Sequence, residues 1–227
     1  MQRRNLILGG VAVAGLGGWA LSSQVVGRNG PAVDTPIPGA AQAQTASSEF
    51  DTASIPDMVQ GNPDSAVTLI EYASYTCPHC ATFHAGGYKQ LKEEYIDTNK
   101  IKFVYREIYF DRPGLWASLV ARCGGPDRFF GINDLIYRGQ STWARAGEPA
   151  AIVEELRKIG RLAGLDNETL EGCLQNAEMA QTLVAWSQEK SQEHGVQATP
   201  SFNLNGTTHR NMAYADLKEL IEAELGS

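Results

Sequence analysis

The chain has 227 residues, 43% of them hydrophobic and 20% charged. That is enough for one substantial core with a sub-domain and too much for a fold that depends on disulfides. With a formal charge of -7 and no clustered Lys or Arg, nucleic-acid binding is excluded, because phosphate contact needs concentrated positive charge.

The first segment, "MQRRNLILGGVAVAGLGGWALSS", has a basic head at Arg3 and Arg4 and an apolar run from Leu6 to Leu21. The run is short and Gly-rich for a membrane span, so residues 1–22 read as an export signal, with an uncleaved membrane anchor as the alternative. Ala20 and Ser22 fit the small-residue rule for cleavage. The arginine pair also resembles a twin-arginine signal, although the ordinary secretory route is preferred. Either route leads out of the cytoplasm, to the periplasm, where an even number of cysteines reads as disulfide chemistry.

Residues 23–54 are rich in Pro, Gly, Ala, Ser and Gln without an apolar period, which predicts a flexible leader. The fold is expected to begin near Ile55. "AVTLIEY", 66–72, is a β-branched and apolar run after "GNPDS" and predicts a buried strand. Pro78 then stands at a first helical position, and the helix should run toward Tyr95 with a bend at Gly86 and Gly87. "KIKFVYREIYF", 100–110, predicts a second strand, and strand, helix, strand in this length implies a parallel crossover.

From Leu115 to His194 strand signals fade and helix starts and stops recur, among them Asp166 with Glu168, then Gly164 and Gly195 as C-terminal caps. Four or five helices are expected there. "PSFNLNGTT" predicts a strand and an Asn-Gly turn, and "YADLKELIEAEL" a closing amphipathic helix. The pattern describes an α/β thioredoxin-like domain in two parts, 55–112 and 196–227, interrupted by an all-helical insertion at 113–195.

The stretch "IEYASYTCPHCATFH", 70–84, holds two of the four cysteines and two of the four histidines. At a strand-to-helix junction Cys77 becomes the N-cap, with Pro78, His79 and Cys80 in the first turn. A thiolate on Cys77 would then meet free backbone N–H groups and the positive end of the helix dipole, which lowers its pKa and makes it a nucleophile. Cys80, one turn deeper, is placed to resolve a mixed disulfide. Two other readings stand beside redox catalysis: a purely structural crosslink, which would close a tiny loop and stabilise little, and a metal site from Cys77, Cys80, His84 and His79, which no second CxxC or paired-His motif completes. Haem attachment is excluded, because Ala81 stands where a histidine is needed.

With Pro78-His79 between the cysteines, the chain resembles the DsbA family of exported thiol:disulfide oxidoreductases over residues 55–225. The resemblance implies a dithiol oxidase that passes the Cys77–Cys80 disulfide to reduced, unfolded exported proteins and is reoxidised by a DsbB-like membrane partner. It implies no metal or nucleotide cofactor. It also implies a cis Pro200 with Thr199 against the active-site sulfurs as the client-binding loop, and a buried acid at Glu71 beneath the disulfide with Arg106 as its charged partner; taken alone, Glu71 reads as a strand-edge residue facing solvent. His84 is expected to be a helix-surface or packing residue. Thr199 departs from the Val common in strong oxidases, which keeps a disulfide isomerase or a client-specific reductase in view; a non-catalytic metal-binding module is the alternative from another class. The absence of an N-terminal dimerisation domain favours a monomer. With the first pair committed to redox chemistry, Cys123 and Cys173 are expected to form a structural disulfide, and the His79 side chain is expected to help hold the Cys77 thiolate.

Overall fold

The computed structural model describes residues 50–226. The expected export signal and residues 23–49 of the expected leader lie outside the described residues. The fold starts earlier than the sequence predicts. Thr52–Ser54 form a 3-10 turn, Thr52 donates to Glu189 at 2.6 Å, and Ile55 is buried against Leu119, Leu183 and Trp186. An apolar anchor and a hydroxyl contact fix a segment that composition alone marks as loose.

In chain order come β1 (Met58–Gly61), β2 (Thr68–Ala73), α1 (Pro78–Ala85), α2 (Gly87–Leu91), a π-helical turn (Lys92–Ile96) and β3 (Lys102–Glu107). Five helices follow: α3 (Arg112–Cys123), α4 (Gly125–Trp143), α5 (Pro149–Leu162), α6 (Asn167–Leu174) and α7 (Ala177–Glu193). The chain closes with β4 (Ser201–Leu204), β5 (Thr207–Arg210) and α8 (Tyr214–Leu225). The strands form one sheet in the order β1-β3-β2-β4-β5. Strands β2 and β3 are parallel, as the crossover requires, and the other pairings are antiparallel.

This is the expected α/β thioredoxin-like sheet with a helical insertion, α3 to α7, between β3 and β4. The predicted helix breaks at Gly86 and resumes at Gly87. Asp166 caps α6 by accepting from the Thr169 N–H, and Gly164 and Gly195 adopt the left-handed conformation just beyond α5 and α7. Asn205 (φ 46°) and Gly206 (φ 91°) make the β4–β5 hairpin turn, the two-residue geometry with positive φ that this dipeptide favours. The strand missed by the sequence reading is β1, a four-residue edge strand in which only Met58 is buried.

Strand β2 is central, so its two faces meet two different environments. Leu69 and Ala73 face the main core with Phe103 and Tyr105 of β3. Ile70 and Tyr72 face the other side with Val104, as the two-residue side-chain period dictates.

Cys123 and Cys173 are joined by a disulfide that ties the end of α3 to α6, with a Cα–Cα distance of 5.8 Å and a sequence separation of 50. Replacing both by alanine is expected to lower stability by at most about 4 kcal/mol in the chain-entropy picture, read as a lower urea midpoint. An unchanged midpoint would show that helix packing alone holds this region.

Candidate functional site

The site sits where β2 runs into α1. Cys77 has extended backbone (φ −78°, ψ 119°) at the N-cap position, and Pro78 follows inside the first turn, where its missing N–H removes no helical bond. The loop before it is tied from three directions. The Cys77 N–H donates to the Ser74 carbonyl at 3.1 Å. Gln140 of α4 donates to the carbonyls of Tyr75 (2.7 Å) and Cys77 (2.9 Å). Thr76 donates to Asp111 at 2.8 Å, and Asp111 in turn caps α3 through the Gly114 N–H.

Sequence reasoning missed these supports. Asp111 ahead of Arg112-Pro113 carries a readable N-cap signal. Gln140, 63 residues from Cys77, carries none.

The two sulfurs occupy opposite environments. Cys77 is half-buried, and its thiol is lowered to about 5. The largest cause is the Cys80 thiol, which donates to the Cys77 sulfur; the Thr199 hydroxyl and the backbone N–H groups of Cys80 and His79 add to it against the cost of burial. Cys80 has no exposed surface. Burial, its bond to Cys77 and the negative charge of Glu71 all push its thiol well above the ordinary range. One cysteine is therefore a thiolate at neutral pH and the other a thiol, the division of labour that attack and resolution need.

Glu71 is fully buried, on the β2 face that looks toward α1, so the solvent-facing reading of the isolated sequence does not hold. His84 is buried with it, its Nε2 3.1 Å from both carboxylate oxygens. His84 is thus no surface residue, and it takes the place at Glu71 that the resemblance gave to Arg106. Arg106 lies opposite Tyr72 in the parallel register while Glu71 lies opposite Tyr105. It therefore projects from the other face of the sheet, where it pairs with Asp57 through two bonds of 2.8 Å and donates to Tyr72.

The Thr199–Pro200 bond is cis, and the Cys77 thiol donates to the Thr199 carbonyl at 3.3 Å. The Thr199 hydroxyl is buried without another partner among the described residues. His79 is exposed and acts on the Cys77 sulfur through its backbone N–H, where the sequence reading looked to its side chain. It lines a cleft with Phe83, Met212 and Tyr214. Among the described residues no group of three or more His, Cys, Asp or Glu could hold a metal ion.

The sequence profile of the thioredoxin family matches residues 53–223. The chain belongs to the thioredoxin family. Within that family the helical insertion follows the DsbA pattern: Wolbachia pipientis alpha-DsbA1 superposes with a TM-score of 0.69 at 24% identity, covering 77% of this chain and 94% of that one. A protein-disulfide isomerase from Novosphingobium aromaticivorans has a TM-score of 0.68 at 28% identity, over 75% of this chain and 98% of its own. A Rickettsia bellii protein provisionally named a protein-disulfide oxidoreductase is 36% identical over 167 residues, 73% of this chain. The match spans 63% of that relative's length. Cys77, Pro78, His79 and Cys80 fall at the junction of strand and helix that defines the thioredoxin site, and the DsbA resemblance read from the sequence holds at the level of fold.

Proposed function

We propose that the protein is a periplasmic thiol:disulfide oxidoreductase that donates its Cys77–Cys80 disulfide to reduced, newly exported proteins. The observation that carries this reading is the pairing of an accessible thiolate, lowered to about 5, with a buried thiol pushed up beside it. A client thiolate attacks Cys77, Cys80 leaves, and a second client thiolate releases Cys77, whose stabilised thiolate is a good leaving group. Glu71 handles the proton of Cys80. Thr199 and cis Pro200 present an extended client segment to the sulfurs, and Cys123–Cys173 acts as a staple. The thioredoxin-like parts at 55–112 and 196–227 carry the chemistry, and 113–195 covers it.

Clients are unfolded chains that meet the cleft beside His79, to which Met212 and Tyr214 contribute apolar surface. A DsbB-like membrane oxidase restores the disulfide. The second reading, an isomerase or a client-specific reductase, is favoured by Thr199 ahead of the cis proline and by the name of the Novosphingobium relative.

Refolding of ribonuclease separates the two. The oxidised protein, a monomer, is expected to oxidise reduced ribonuclease rapidly and to unscramble a mispaired one poorly. Efficient reshuffling by a protein that is a dimer in solution would move the assignment to isomerase.

A further inference from the structure

The Glu71–His84 pair is built more elaborately than a buried acid alone requires. Glu71 has no hydrogen-bond partner besides His84 among the described residues. A carboxylate only accepts, so one proton lies between the two groups. The imidazole is stacked between Tyr137, at 4.1 Å and 17°, and Tyr88, at 4.6 Å and 29°, with Phe83 and Tyr105 against its edges. The tyrosine hydroxyls are turned elsewhere: Tyr105 and Tyr137 bond each other at 2.7 Å, and Tyr88 donates to Gln60 at 2.6 Å. The titratable groups around the pair are Cys80 from α1, Tyr88 from α2, Tyr105 from β3 and Tyr137 from α4, with Lys89, Asp134 and Arg138 at the outer edge of the ring. None of the four inner groups can carry positive charge, and Arg106 lies across the sheet, so the imidazole is the potential cation nearest Glu71.

The far side of the ring is not sealed. A cleft of about 60 Å³ between α1 and α4 is lined by His84 and Tyr137 and rimmed by Lys89, Asp134 and Arg138. That is room for a few waters. The imidazole is thus a polar group standing between a sealed carboxylate and a charged, water-accessible rim.

We propose that His84 is a positioning residue for the resolving cysteine, holding Glu71 in place and passing its proton to and from solvent through the α1–α4 cleft. This rests on the oxidoreductase reading and deepens it. When a client thiolate attacks Cys77, the Cys77–Cys80 bond breaks, a client–Cys77 bond forms, and the electron pair of the broken bond goes to the Cys80 sulfur. That sulfur is buried and takes a proton from the Glu71–His84 unit, which regains one from the cleft. The client's second thiolate then attacks its own sulfur and releases Cys77 as a thiolate. In reoxidation the proton runs outward by the same route.

The test is stopped-flow opening of the oxidised protein's disulfide by a reduced peptide across the acidic and neutral range. It compares wild type, His84→Gln, His84→Phe, Glu71→Gln and the Glu71→Gln/His84→Gln double variant. His84→Phe keeps the stack between the tyrosines if His84→Gln fails to fold. The Cys77 thiolate absorbance is followed in parallel. Each single variant is expected to open about a hundredfold more slowly, the lower end of what a positioned acid–base group contributes. Each should also lose the pH dependence of that step, while the Cys77 midpoint stays in place and the double variant is no slower than either single one. A His84 variant with the wild-type rate and pH profile, or losses that multiply in the double variant, would overturn the proposal. A wild-type disulfide that no thiol opens would sink the oxidoreductase reading itself and this proposal with it.

Discussion

Cys77→Ser is expected to abolish thiol–disulfide exchange, whereas Cys80→Ser is expected to leave a protein that reacts once and stays joined to its client. The asymmetry follows from the two sulfurs. Cys77 is half-buried with a thiol lowered to about 5, so at neutral pH nearly all of it is the reactive thiolate. A serine hydroxyl has no comparable anion, and the loss should reach about 10³-fold or more, as for removal of any covalent nucleophile. Cys80 is sealed, with a thiol pushed well up, and cannot substitute for its neighbour. Its absence strands an adduct formed on Cys77, because the neighbouring thiol that would attack the Cys77 sulfur and release the client is missing. Non-reducing gels and mass spectrometry after mixing with a disulfide-bonded client separate the outcomes: the Cys77 thiolate attacks one client sulfur, the other leaves as a thiolate, and the adduct persists when Cys80 is missing. Cys80→Ser without a trapped adduct, or Cys77→Ser that retains exchange, would contradict these roles.

The reduced protein is expected to be more stable than the oxidised one at neutral pH, the reverse of an ordinary structural disulfide. Hydrogen bonds from Cys80, Thr199 and the backbone N–H groups of Cys80 and His79 hold a charge that exists only when Cys77 is a thiolate. Its folded pKa of about 5 lies below an unfolded value of about 8.5. The contribution is therefore complete above about pH 8.5 and is lost as pH falls through about 5. The gap gives an unscreened upper bound of about 5 kcal/mol, which solvent around a half-exposed sulfur reduces to about 2. The direction is the one established for DsbA; the size comes from this site. Urea melts of both redox forms at neutral and acidic pH should show the reduced-state advantage shrinking in acid. His79→Leu keeps the backbone N–H and should move the Cys77 midpoint by less than about one unit. An oxidised form that is the more stable at every pH would mark this CPHC as a staple.

What the sequence made legible was local. The Cys77-Pro78-His79-Cys80 junction, the Asn205-Gly206 turn and the Asp166 cap each combine a residue type with a fixed offset, and each folds as those offsets dictate. The environment of Glu71 was not legible in that way. Its burial depends on β2 lying in the middle of the sheet, and its partner depends on which face of β3 each residue takes. A one-residue parity separates Tyr105, on the Glu71 side, from Arg106 on the other, and an uncertain strand register hides that parity. His84 was passed over because a histidine on a helix is ordinarily a surface or packing residue; only the packing of Tyr88 and Tyr137 reveals a ring stacked on both faces. Gln140 is held to the active loop by tertiary contact alone.

If stabilisation of the Cys77 thiolate makes the Cys77–Cys80 disulfide an oxidant, equilibration of the dithiol with glutathione buffers at neutral pH will show it. The reduced fraction, read from alkylation and mass analysis, gives the potential. The expected value lies far above the roughly −270 mV of thioredoxin, nearer the roughly −120 mV of DsbA; a value at or below that of thioredoxin would show that the thiolate's stabilisation does not make this disulfide an oxidant.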